Sequence, residues 1–103
     1  MGKGVFLNVS ALGHVIPTLG VVAELVARGE KIAYFEVPPF QREIEAAGAT
    51  FHPYPEIGPY PGPGGANQYY LAPVSAWCAR EWVPLLRERV RAERPDYIVH
   101  DSL

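Results

Sequence analysis

Hydrophobic and polar positions along this chain fall into two alternating textures. Short apolar runs, "VFLNV" (Val5–Val9), "KIAYFEV" (Lys31–Val37), "ATFHPY" (Ala49–Tyr54) and Tyr97–His100, are rich in β-branched and aromatic residues and are bounded by glycine, proline or small polar residues. Such runs predict buried strands. Between them the apolar residues recur three and four apart. Pro17 suits the first turn of a helix, where its missing N–H costs nothing, and Leu19, Val22, Leu25 and Val26 then carry that helix to a stop at Gly29. Phe40 to Ala47 predicts a short helix closed by Gly48. Val74 to Glu93 predicts a long one, anchored by Trp77, Trp82, Leu85, Leu86 and Val90, kinked at Pro84 and stopped at Pro95.

Strands separated by helices imply parallel βαβ units, whose right-handed crossovers pack each helix on the sheet. The fold class is therefore α/β, with a mainly parallel sheet of about four strands. One segment breaks the alternation. "PYPEIGPYPGPGGAN", Pro53 to Asn67, holds five prolines and four glycines, too many for a helix or a central strand. It predicts an exposed loop, and a loop this long in a compact domain is either functional or a plain connector.

Composition narrows the class. The 103 residues make one small domain or part of one, and 49% apolar content with a net charge of −2 places the chain among soluble globular proteins. The basic residues between Arg80 and Arg94 are interleaved with Glu81, Glu88 and Glu93, which reads as a solvated helix face and gives no reason to seek nucleic acid. Cys78 is the only cysteine, so neither an intrachain disulfide nor a cysteine-based zinc cluster can form, and a cytoplasmic setting fits. No apolar run approaches the ~18 residues of a membrane span, and the start of the chain lacks both a signal-peptide h-region and a myristoylation pattern.

In an open parallel sheet, ligands collect outside the carboxyl ends of the strands. His14 follows the first strand and Asp101 closes the fourth, so the two meet if those strands are neighbours. A histidine titrates near neutral pH, and a carboxylate on its far nitrogen would fix the tautomer and balance the imidazolium, which suits general-base chemistry. The same residues also fit a simpler structural role, His14 satisfying a backbone carbonyl and Asp101 capping a helix. "SALGHVIPTLG" lacks the G-x-G-x-x-G spacing of a dinucleotide site, which leaves Glu36, placed where a ribose-binding acid would sit, a weak signal. No HxxxH or HExxH pair occurs, so His52 and His100 read as structural or exposed and no metal site is expected.

"GHVIPTLGVVAELVARGEKIAYFEVPPFQREIEAAGATFHPYP", Gly13 to Pro55, resembles the N-terminal start of the macrolide-type UDP-dependent glycosyltransferases, and "RPDYIVHDSL" resembles a later strand and aspartate of that family. The resemblance implies two Rossmann-like domains facing a cleft, the first binding a small-molecule acceptor and the second a nucleotide sugar, with inverting catalysis and no metal or other cofactor. This chain would be the first part of the N-terminal domain, with the donor-binding C-terminal domain absent. By resemblance His14 is the general base and Asp101 orients it, while Gly13 and Pro17 support the turn that carries the base. A lipophilic acceptor such as a macrolide or flavonoid needs apolar walls with a few polar tips, for which Ile16, Tyr60, Tyr69, Tyr70 and Trp77 are candidates. The donor would be a nucleotide sugar, UDP-linked, reached only through the missing domain, so the isolated chain is expected to be inactive. Two alternatives stay open: a non-catalytic α/β module that works with a partner chain, and a flavodoxin-like mononucleotide binder, against which the absent phosphate-cradling glycine loop argues.

Overall fold

The computed structural model describes residues 2–8, 10, 12–55 and 71–101. Its elements run β1 (Lys3–Leu7), α1 (Leu12–Ala27), β2 (Lys31–Glu36), a single 3-10 turn (Pro38–Phe40), α2 (Gln41–Ala46), β3 (Thr50–Pro53), α3 (Leu71–Glu93) and β4 (Tyr97–His100). The strands form one parallel sheet in the order β3-β2-β1-β4. This is the partial Rossmann-like α/β arrangement, and its topology reverses between β1 and β4. The first two crossovers step one way from β1, and the third returns to its other side.

Alternation along the strands divides the core into two layers. Phe6, Ile32, Tyr34 and Phe51 pack with Val15 and Val22 of α1 and Ile44 of α2. Val5, Ala33 and Phe35 face the other way, against Leu86 and Val90 of α3. β2 is buried almost throughout, as a central strand covered on both faces should be. Gly4 sits directly opposite Tyr97 in the β1–β4 pairing, and a Cβ on it would lie 2.2 Å from the Tyr97 ring. Only a residue without a side chain lets that ring lie across β1 and donate its hydroxyl to Glu30.

Several boundaries differ from the sequence expectation. β1 begins two residues earlier than Val5 and ends at Leu7, because Gly2 and Lys3 already accept ladder bonds from Lys31 and Asp96 while the Asn8 side chain turns to a buried hydroxyl. α1 begins at Leu12, so Pro17 lies inside the helix and does not start it. The carbonyl that its absent N–H would have bonded belongs to Gly13, four residues back, and both residues are exposed, on the solvent side of the helix where such a gap costs least. Gly29 and Gly48 close α1 and α2 in the left-handed conformation, at φ 90° and 99°, as their glycines predicted.

α3 starts three residues before Val74 and runs through Pro84. Its sheet-facing side carries Trp82, Leu86 and Val90 at i, i+4 and i+8, which leaves Leu85 on the flank at 46% exposure instead of anchored in the core. The proline- and glycine-rich loop lies, apart from Pro53, Tyr54 and Pro55, outside the described residues, as do Tyr60, Tyr69 and Tyr70. No helix among the described residues is long and apolar enough to cross a membrane.

Candidate active site

The reversal between β1 and β4 opens the carboxyl edge of the sheet, and His14 and Asp101 stand on either side of it. Leu7 is in register with His100, so the next residue on each strand, Asn8 and Asp101, lies at the mouth. His14 is the third residue of α1, the helix that follows β1. Its Nδ1 lies 3.0 Å from Asp101 Oδ2. A carboxylate only accepts, so Nδ1 carries the hydrogen and Nε2 of the neutral ring keeps its lone pair for a proton from elsewhere. The His14 side chain is 37% exposed and that of Asp101 23%, an arrangement that leaves the imidazole reachable and the carboxylate beside it partly covered.

Below this pair lies a buried polar layer. Asn8, Glu36 and Asp101 fall on the α1 face of three adjacent strands by alternation. Glu36 is fully buried. Its Oε2 accepts from the Ser10 hydroxyl and, at 2.9 Å, from the Val37 N–H, while Oε1 is the buried side-chain oxygen without a hydrogen-bond partner among the described residues. Burial pushes its carboxyl above the ordinary carboxylate range; the Ser10 and Val37 bonds oppose the shift, and the charge of Asp101 adds to it. Burial likewise raises the phenols of Tyr34 and Tyr54. Tyr54 donates to the Asn8 carbonyl at 2.8 Å and stacks on Trp82, whose indole N–H donates to Pro55 O at 2.7 Å. The chain leaving β3 is thereby tied both to β1 and to α3.

The other expected site residues are placed less directly. Ile16 is exposed but lies two helical positions from His14, about 200° around the helix, so the fold does not bring it to the imidazole. Gly13 has open space around the position of a Cβ and sits within the helix, so no steric requirement for glycine supports its expected turn role. Pro17 supports no turn either, for the reason given above. Trp77 is half-buried on α3, upstream of Trp82 and in the layer opposite α1. Glu36 is sealed from solvent and has no surface to offer a ribose. His52 stacks on Phe35 and pairs with Glu93 at 3.1 Å, and His100 is exposed. Among the described residues no three His, Cys, Asp or Glu side chains gather as metal ligands.

Sequence reasoning passed over Asn8, Ser10, Thr18 and Tyr34. One signal was present: Asn8 is the polar residue that interrupts "VFLNV", and a buried amide requires a partner.

Fold and site together define a class, a partial Rossmann-like α/β domain with a histidine–aspartate pair at the carboxyl edge of its sheet. The comparisons with known proteins are specific about which. The chain is 30% identical over 95 residues to the uncharacterised UDP-glucosyltransferase YojK of Bacillus subtilis (strain 168), covering 86% of this chain and 24% of that protein. It is 31% identical over 98 residues to the oleandomycin glycosyltransferase of Streptomyces antibioticus, covering 91% of this chain and 23% of that protein. The crystal structure of CalG4, the calicheamicin glycosyltransferase, superposes with a TM-score of 0.76 at 29% identity over 98% of this chain and 27% of that one. No family model matches. The chain is homologous to UDP-glucosyltransferases and macrolide glycosyltransferases, and it spans about a quarter of the length of the relatives it matches.

Proposed function

We propose that these residues form the acceptor side of an inverting glycosyltransferase, which moves a sugar from a UDP-sugar to a hydroxyl of a small lipophilic molecule of the macrolide or flavonoid kind. The observation that carries the reading is the 3.0 Å bond between His14 Nδ1 and Asp101 Oδ2, which makes Nε2 the ring nitrogen that can accept a proton. The donor-binding half is a second domain beyond this chain, as the length of the relatives supports.

In this reading His14 Nε2 takes the proton of the acceptor hydroxyl. The oxygen then forms its bond to the anomeric carbon as the bond from that carbon to the diphosphate oxygen breaks, and the electron pair leaves with the nucleotide. Attack from the face opposite the leaving group inverts the anomeric centre. Asp101 balances the imidazolium that results. Backbone N–H groups and helix N-termini of the donor-binding half hold the departing diphosphate, so the chemistry needs no metal ion.

The complete protein, supplied with UDP-glucose and a hydroxylated macrolide or flavonoid, should yield a glycoside whose anomeric configuration by NMR is opposite to that of the donor. The rate should be unchanged by EDTA. A product that retains the donor configuration, or the absence of product across a panel of UDP-sugars and such acceptors, contradicts the proposal.

A further inference from the structure

The proposed base stands in the first turn of α1, just past the connection from β1, and a residue of β2 grips both ends of that passage from below. Tyr34 is fully buried on the α1 face of the sheet. Its hydroxyl lies 2.6 Å from Asn8 Nδ2 and 2.6 Å from Thr18 Oγ1. Counting hydrogens gives both bonds a direction. An amide nitrogen only donates, so Asn8 donates to Tyr34. Thr18 has one hydroxyl hydrogen and gives it to Val15 O at 2.6 Å, so Thr18 Oγ1 accepts from Tyr34. The relay therefore runs from Asn8 through Tyr34 and Thr18 to the backbone of α1.

Its two ends bracket the histidine. Asn8 comes directly after β1, and Thr18 follows His14 by four residues, one turn on and on the same side of α1. Asn8 is held a second time by the Tyr54 hydroxyl on its carbonyl. The Tyr34 ring stacks on Phe6 with centroids 5.4 Å apart, a packing role that a phenylalanine fills equally. The hydroxyl is what a phenylalanine lacks, and burying one is costly unless it is bonded.

We infer that Tyr34 is a positioning residue for the base: its buried hydroxyl ties the start of the βα connection to the first turns of α1 and so holds His14 opposite Asp101. The inference rests on the reading of His14 as the base.

The test uses the complete protein. Tyr34→Phe keeps the ring and removes the hydroxyl, Thr18→Val removes the accepting oxygen at similar volume, and Thr18→Ser retains it. Tyr34→Phe and Thr18→Val should each lower kcat by about 10- to 100-fold, the scale on which small misplacements act, with KM for the UDP-sugar within about twofold. Thr18→Ser should return kcat to within about twofold of the unsubstituted protein. The 15N signal of the His14 imidazole reads the placement directly, and it should shift or broaden in Tyr34→Phe as the Asp101 bond loosens. An unchanged kcat and an unchanged His14 signal in both Tyr34→Phe and Thr18→Val, with only the melting temperature lowered, overturns the inference. If Tyr34→Phe does not fold, the two Thr18 variants, at a half-buried helix position, decide it alone. His14→Ala separates the two levels: an active His14→Ala overturns both the base and its positioning, whereas an inactive one beside a fully active Tyr34→Phe removes the positioning alone.

Discussion

Glu36 shows how residue-scale forces are weighed at this edge of the sheet. Its carboxyl is raised above the ordinary value of 4.5, burial being the largest cause. The folded protein therefore binds this proton more tightly than the unfolded chain does. Glu36 costs no stability below its unfolded pKa, and the cost grows as pH rises from 4.5 through the folded value. Glu36→Gln, which cannot ionise, should make the complete protein more resistant to denaturant than the natural sequence at pH 8, with the gap closing toward pH 4.5. Denaturation midpoints across that range check it, and a gap that does not depend on pH contradicts it. Asp101 stands at the other end of the same row, and under the proposed mechanism loss of its carboxylate frees His14 to take the wrong tautomer. Asp101→Asn should lower kcat by about 10²- to 10⁴-fold, measured as sugar transfer under saturating substrates, if tautomer and charge balance both matter. That His14 and Asp101 meet was legible in the sequence from their places after β1 and β4, whereas their proposed roles came from the family resemblance. Tyr34 was not legible, since inside the run "KIAYFEV" it reads as one more apolar core position.

At the scale of elements, the strand and helix types followed from periodicity, while the ends depended on tertiary partners that periodicity does not see. β1 starts early because β2 and the residue before β4 supply its bonds, and α1 starts early because helical geometry continues back through His14 to Leu12 despite Pro17. That earlier start puts His14 in the first turn of a helix and not in a flexible loop, which strengthens its placement. Proline inside a helix costs roughly 3 kcal/mol against alanine. Pro17→Ala, exposed and restoring an N–H for the Gly13 carbonyl, should raise the unfolding free energy by up to ~3 kcal/mol in a denaturant titration. The opposite sign is expected at Gly4. Gly4→Ala sets a methyl group against the Tyr97 ring and should cost about 1–3 kcal/mol, as other overpacked sites do. In a Tyr97→Ala background the same substitution should cost much less, and equal costs in the two backgrounds would rule out the ring as the cause.

At the scale of the molecule, β4 is an edge strand that leaves Ile98 48% and Val99 36% exposed beside the His14–Asp101 pair. Exposed apolar strand edges invite pairing. Residues 1–103 alone should therefore self-associate in analytical ultracentrifugation, less so with Ile98→Lys, and should transfer no sugar; turnover by that chain without its donor-binding half contradicts the proposed division of labour. The proposed mechanism turns on His14 taking the acceptor proton. The direct measurement is transfer from UDP-glucose by the complete protein carrying His14→Ala, alongside calorimetric binding of the nucleotide. Turnover should fall by at least about 10²-fold, on the scale of general-base catalysis, with nucleotide affinity within about twofold; turnover near that of the natural sequence would show that His14 is not the base.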